Sequence, residues 1–195
     1  PLDRLADLIG RVPVVVMSPE DRALTAEGPQ ERRAFLDQLI SQLSTGYLQD
    51  LLRYRRIRRQ RTAVLASAGM GRDRLRAALE PWDLQLARTG SWVVLQRSRV
   101  LAKFESYLRE HLERLASQAL EPRFAYRTFC PLEEAIGDGA SDEQTLDRLQ
   151  ERFMQRLSET FETELERGQT LVGPHRDEIV FRLGDLELRK YGSQG

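Results

Sequence analysis

The sequence predicts an α+β fold that is mainly helical: a long antiparallel helical hairpin, a third helix and a few short strands. Three observations carry this. Apolar residues recur every third or fourth position through two stretches of roughly 35–40 residues, joined by a short glycine-containing loop. A third amphipathic stretch follows a capping-box signature, Ser141–Gln144. Short β-branched or alternating runs lie near the start, in the middle and close to the end. At ~1.5 Å per residue, each long helix spans about 50–60 Å. That is longer than a compact domain of this size needs and predicts an arm projecting from a head.

"VPVVVM" (Val12–Met17) reads as a buried strand. "SPED" then opens a helical turn. Ser18 caps it, Pro19 suits the first helical position, and Glu20 and Asp21 favour the positive helix end. Gly28-Pro29 breaks that turn and starts the first long helix. Its stripe runs Phe35, Leu36, Leu39, Ile40, Leu43, Tyr47, Leu51, Tyr54, Ile57 and Val64. "SAGMG" (Ser67–Gly71) interrupts it. "LEPWD" starts the second long helix, with Pro81 near its N-terminus and a stripe through Val93, Arg97, Val100, Leu101, Phe104, Leu108, His111, Leu112, Leu115 and Ala119. Gly90 lies inside it, at a place where a bend or break is expected. "RFAYRTFC" (Arg123–Cys130) alternates as a strand does. The third helix carries Leu146, Leu149, Phe153, Leu157, Phe161 and Leu165, and Gly184-Asp185 is a hairpin turn between two short strands.

The chain has 195 residues, 41% hydrophobic and 31% charged, which bounds it to one large or two small globular domains. Its net charge of zero predicts no polyanion partner from the overall balance, so local distribution decides. One cysteine, Cys130, excludes an internal disulfide framework and reads as a small buried hydrophobe in a reducing compartment. No apolar run reaches membrane-spanning length, and no signal peptide opens the sequence. The chain starts without methionine, and both ends read as the middle of a longer protein.

The densest constellation is "RYRRIRRQR", with six arginines in nine residues: Arg53, Arg55, Arg56, Arg58, Arg59 and Arg61. On a helix they cover nearly every face except the Tyr54–Ile57 side, and Arg32 and Arg33 add charge to the same helix. Phosphate is the natural counterpart of such a cluster, because guanidinium forks onto it. Two bland alternatives stand beside it: a solvated face, or pairing with the third helix, since Glu133–Glu166 holds eleven acidic and three basic residues. The second constellation is "LVGPHRDEIVF" (Leu171–Phe181). Its His175, Arg176 and Asp177 could be read as an acid–base set, but consecutive side chains point in different directions. Metal-ligand spacing, a nucleophile elbow and a phosphate-cradling P-loop are all missing, so these residues alone predict no enzyme.

Five stretches together resemble RecF, the DNA replication and repair protein family of bacterial recombination. They are Ser18–Asp37 ("SPEDRALTAEGPQERRAFLD"), Tyr54–Leu65 ("YRRIRRQRTAVL"), Pro81–Asp83 ("PWD"), "LVGPHRDEIVF" and the terminal "SQG", and they occur in the family's order. The resemblance implies lobe II of an ABC-type ATPase head related to the structural-maintenance and Rad-type ATPases. It implies that Ser193, Gln194 and Gly195 open the signature motif, which meets ATP held by a partner subunit through a helix N-terminus. A Walker A loop is then expected before Pro1 and Walker B acids after Gly195, with no ATPase activity in this stretch alone. It further implies ATP and Mg²⁺ in the full-length protein, an ATP-dependent homodimer and RecR (with RecO) as partners. Double-stranded, single-stranded and gapped DNA are the implied nucleic acids. RecA loading, the SOS response and a cytoplasmic, nucleoid-associated location follow from the same likeness. Residues 1–28 become a connecting strand and turn, 29–120 the arm, and 121–195 the return to the head.

The same likeness favours DNA as the arginine cluster's counterpart; six neutralised phosphates would give a salt slope of roughly −5. Glu20, Asp21, Arg32, Arg33, His175 and Arg176 are family-motif residues without an assigned role. The last two are expected at a head–arm junction, sensing nucleotide or touching DNA. A protein-interaction arm that binds no DNA is the competing class, and a stand-alone enzyme built on His175 the third.

Overall fold

The computed structural model describes residues 28–67, 71–115, 121–137 and 139–188. In chain order these form α1 (Pro29–Leu43), α2 (Thr45–Leu65), α3 (Arg72–Leu115), β1 (Pro122–Arg127), α4 (Leu132–Ala135), α5 (Asp142–Arg167), β2 (Glu178–Leu183) and β3 (Leu186–Glu187). The fold is therefore mainly helical with a small antiparallel sheet, as the periodicities predict. The strand expected at Val12–Met17 and the Ser18–Asp21 turn lie outside the described residues.

The first long helix is two. Ser44 takes an extended conformation (φ −147°, ψ 109°), and its hydroxyl accepts the Tyr47 N–H at 3.3 Å. It thus ends α1 and caps α2. A serine that bonds nearby backbone competes with the helix ladder, and the continuous apolar stripe concealed that break.

The second long helix starts earlier than expected, at Arg72, and Pro81 sits inside it. Proline removes one backbone donor, but the packing carries the helix through: Leu75 and Leu79 bury against Leu65 and Phe161. Gly90 does not break it either. A Cβ there would fall 2.6 Å from Phe153 Cε2 and 3.2 Å from Tyr54 Cε2, so the glycine marks a close approach of neighbours rather than a bend.

The chain divides into two compact units. One comprises Gln49–Leu95 and Thr128–Arg176, the other Pro1–Leu48, Gln96–Arg127 and Asp177–Gly195. In the first, Leu65 meets Leu75 and Leu79, Arg61 meets Asp83, and Tyr54 lies beside Gly90. Residue numbers climb along α2 as they fall along α3, so the two run antiparallel there. The α5 stripe of Leu149, Phe153, Leu157 and Phe161 is buried. Its start is fixed by a complete Ser141/Gln144 capping box and its end by Gly168 at φ 58°.

In the second unit, β1 pairs antiparallel with β2, Phe124 opposite Phe181, and β2 turns at Gly184-Asp185 into β3. The expected strand to Cys130 stops at Arg127, because the ladder ends at its partner Glu178. Helix α1 packs against β2. Phe35, Phe104, Phe124 and Phe181 form a run of ring contacts with centroids 6.4, 5.5 and 5.0 Å apart.

Candidate nucleic-acid interface

Helix α2 has two unlike sides. Leu51, Tyr54, Ile57, Arg61 and Leu65 are buried, at spacings of three and four. Arg53, Arg55, Arg56 and Arg59 are exposed, and Arg58 is half-buried. Among the described residues Arg53, Arg56, Arg58 and Arg59 make no ion pair. Internal neutralisation by the acidic α5 therefore does not reach them. Its Glu162 takes Arg72 and Arg76, and Glu159 takes Arg156.

Arg61 departs from the expectation of a DNA contact. Its side chain is 1% exposed, and each of its three nitrogens has a polar partner. Nε donates to Asp83 Oδ1 at 2.5 Å and Nη1 to Thr170 Oγ1 at 3.1 Å, while Nη2 lies 2.7 Å from Glu164 Oε2 in an ion pair. Glu164 Oε1 accepts the Leu171 N–H at 2.6 Å, and Thr62 Oγ1 meets Thr170 Oγ1 at 3.0 Å. Burial raises the Asp83 pKa above its ordinary value, and the Arg61 guanidinium pulls it back in part. The reason for the correction is positional. Residue 61 follows 54 and 57 on the buried stripe, so it points inward with them.

The Leu171–Arg176 stretch carries a second inward contact. Nε2 of His175 lies 3.0 Å from the Thr170 carbonyl, which only accepts. That nitrogen therefore holds the proton, and Nδ1 accepts from the Tyr54 hydroxyl at 2.6 Å. Gly173 has φ 123°, and a Cβ on it would fall 2.6 Å from Tyr54 Oη and 2.8 Å from Phe153 Cζ. Arg176 is exposed and donates to Gln169 Oε1 at 3.3 Å. Asp177 engages Arg97 and Tyr126 instead. Three consecutive residues with three different sets of partners do not form one acid–base site.

The other unit holds its own buried polar network, centred on Arg97, which is 2% exposed. Arg97 Nε donates to Asp37 Oδ1 at 2.9 Å and Nη2 to Oδ2 at 3.1 Å, a two-pronged pair, while Nη1 lies 3.5 Å from Asp177 Oδ2. The Tyr47 hydroxyl donates to Asp37 Oδ1 at 2.6 Å, and the Tyr126 hydroxyl donates to Asp177 Oδ2. Burial raises both phenol pKa values, and the adjacent carboxylates Asp37 and Asp177 add to that. Burial also works against the Arg97 charge, but Tyr126, Asp37, Tyr47 and Asp177 outweigh it and hold its pKa well above the ordinary value. Arg33 Nη1 donates to the Asp177 carbonyl at 2.6 Å, and the buried Arg32 lies 3.7 Å from Glu178. Arg32 and Arg33 are thus tethers between α1 and the start of β2.

Sequence reading placed Arg97 on an apolar stripe and missed it, Asp37, Tyr47, Asp83, Tyr126 and Glu164 as network members. The available signal was a charge at a stripe position. Arg97 lies four residues after Val93, and Glu164 three after Phe161. Ser193, Gln194, Gly195, Glu20 and Asp21 lie outside the described residues. Among the described residues no helix is long and apolar enough to cross a membrane, and no group of three or more His, Cys, Asp or Glu is placed to hold a metal ion.

The stretches that carry the family likeness supply most of both networks. Tyr54, Arg61, Asp83 and His175 come from them in one unit; Arg32, Arg33, Asp37 and Asp177 in the other. The same likeness extends along the whole chain. The DNA replication and repair protein RecF of Salinibacter ruber is 45% identical over 198 residues, covering 100% of this chain and 45% of that protein. RecF of Alkaliphilus oremlandii is 35% identical over 196 residues, covering 100% of this chain and 50% of its own. A solved structure of the recombination mediator protein RecF-ATPrS in the RecFOR pathway superposes with a TM-score of 0.84 at 27% identity, covering 100% of this chain and 49% of that one.

The chain matches about half of RecF.

No protein-family model matches it. The chain spans about half the length of the RecF relatives it matches. From its own residues the chain contributes an arginine-bearing helix face opposite a buried polar network.

Proposed function

We propose that this chain supplies the DNA-binding face of a RecF-like, ATP-operated DNA repair and recombination protein. The observation that carries the reading is the exposure of Arg53, Arg55, Arg56 and Arg59 on one helix whose opposite side is locked into a core. Each guanidinium is a permanent charge with a planar fork that matches a phosphate. In this reading the four guanidiniums contact phosphate oxygens, which fix a protein's register on DNA without reading its sequence.

In this reading the full-length protein binds ATP with Mg²⁺ and pairs with a second copy. Ser193, Gln194 and Gly195 begin the signature motif that meets the partner's nucleotide, and hydrolysis releases the pair. Gapped or junction DNA is the target, and RecO and RecR are the proteins with which it assists RecA loading, in the cytoplasm at the nucleoid. The support is the naming of the relatives as DNA replication and repair proteins and the description of the solved one as a nucleotide-bearing mediator of the RecFOR pathway.

The test is titration of the protein with labelled duplex, gapped and single-stranded oligonucleotides across a salt series. Four contacted phosphates give a slope of log affinity against log salt of roughly −3.5. Changing Arg53, Arg55, Arg56 and Arg59 together to alanine is expected to abolish most of that slope. An unchanged slope removes the face from the mechanism. No DNA binding at about 150 mM salt, together with a concentration-dependent mass in sedimentation, supports a protein-interaction arm instead.

A further inference from the structure

The arginine face is only as well placed as the helix beneath it, and a single short segment grips that helix at two levels. Near the start of the cluster, Tyr54 Oη donates to His175 Nδ1 at 2.6 Å. Beyond its centre, Arg61 Nη1 and Thr62 Oγ1 both reach Thr170 Oγ1, at 3.1 and 3.0 Å. The exposed Arg55, Arg56 and Arg59 lie between these two levels, and Arg53 lies one residue before the first. His175 in turn is oriented by its own bond to the Thr170 carbonyl, so the two grips share one residue. Gly173 completes the seat. Its positive φ and the absence of a Cβ let the loop close to contact distance against Tyr54 and Phe153.

We propose that the Thr170–His175 loop is a lock that sets the rotation and height of α2, so that Tyr54, Thr170, Gly173 and His175 are positioning residues for a phosphate-binding face they do not touch. Its bearing on DNA rests on the binding reading above. The physical argument is leverage. A guanidinium held roughly 8 Å from the helix axis moves by about 4 Å when the helix turns by about 30°, and a bidentate fork tolerates far less than that. Two grips about two helical turns apart add directional constraints on rotation and sliding to those of the packed apolar face, because a hydrogen bond weakens steeply with angle and distance.

The experiment compares Tyr54→Phe, His175→Ala and His175→Gln with the unaltered chain by two readouts. The glutamine amide offers one acceptor and one donor, as the neutral imidazole does. The first readout is amide hydrogen exchange in residues 53–61, referenced to residues 145–161 of α5. The second is the salt slope for labelled duplex DNA. Exchange about tenfold faster in residues 53–61 alone, with a slope shallower by about one, is expected for Tyr54→Phe and His175→Ala, and recovery of both for His175→Gln. A fold-wide defect lowers the competent fraction without changing the slope, so a changed active fraction at constant slope overturns the positioning role. Unchanged exchange overturns the lock, whatever the DNA result. If the unaltered chain binds no DNA while exchange responds as expected, the binding reading falls and the lock on α2 stands.

Discussion

Arg61 Nη2 lies 2.7 Å from Glu164 Oε2, and the two side chains are 1% and 0% exposed. This ion pair takes one arginine of a six-arginine run out of solvent and makes it part of the core. Removing one partner of a buried pair leaves the other uncompensated, at a cost of about 3–5 kcal/mol. Arg61→Ala is therefore expected to unfold at much lower denaturant with the same m-value. Arg56→Ala, on the exposed side, is expected to move stability by less than ~0.5 kcal/mol while weakening DNA binding. Equal effects of the two on stability would contradict the assignment of Arg61 to the interior.

Asp83 sets two opposing forces against each other on one carboxyl. Burial raises its pKa and Arg61, at 2.5 Å, lowers it, with burial winning. The folded state then holds a proton that the unfolded state has lost. The contribution to stability is complete below the ordinary value of 3.8 and declines as pH rises through the raised folded value. The stability of the unaltered chain relative to Asp83→Asn is expected to fall across that acid window in urea titrations. A rise would show that the guanidinium outweighs burial.

Tyr47 and Tyr126 shift in the same direction, at the alkaline end. Burial keeps both phenols protonated in the folded state above their ordinary value of 10.0. Unfolding releases their protons, so the stability they contribute is intact below about pH 10 and lost as pH rises beyond it. Of the five tyrosines, these two are expected to stay silent in a tyrosinate absorbance titration until the chain unfolds. Tyr47→Phe is expected to flatten the alkaline fall in stability. A smooth titration of all five near pH 10 in a folded chain would be inconsistent with the buried network.

Gly90 tests the packing between α3 and its neighbours. Gly90→Ala improves helix propensity by ~1 kcal/mol, yet its methyl would meet Phe153 at 2.6 Å. Phe153 is 0% exposed, so its ring has little room to move. The substitution is expected to destabilise by about 1–3 kcal/mol in thermal or denaturant unfolding. A more stable variant would mean that the ring has space to yield.

The helices, the capping box at Ser141 and the Gly184-Asp185 hairpin were legible because each is written in local spacing. Period, cap and turn residues act within a few positions. Local cues also misled where they were weighed without packing. Ser44 broke a continuous stripe by capping the next helix, while Pro81 and Gly90 were carried by Leu79 and Phe153. The exposed part of the arginine face was legible too, since Tyr54 and Ile57 already marked the inward side. The same rule, applied one step further, would have turned Arg61 inward.

By itself the sequence determined the element types, the likeness to a family and the presence of a dense positive run, all of which depend on neighbours along the chain. Only the tertiary structure decided which charges are surface and which are core. Arg61 finds Glu164, and Arg97 finds Asp37 and Asp177, across separations of 103, 60 and 80 residues that no spacing rule encodes. A buried charge is stable only where such partners converge, and that convergence is a property of the packed chain.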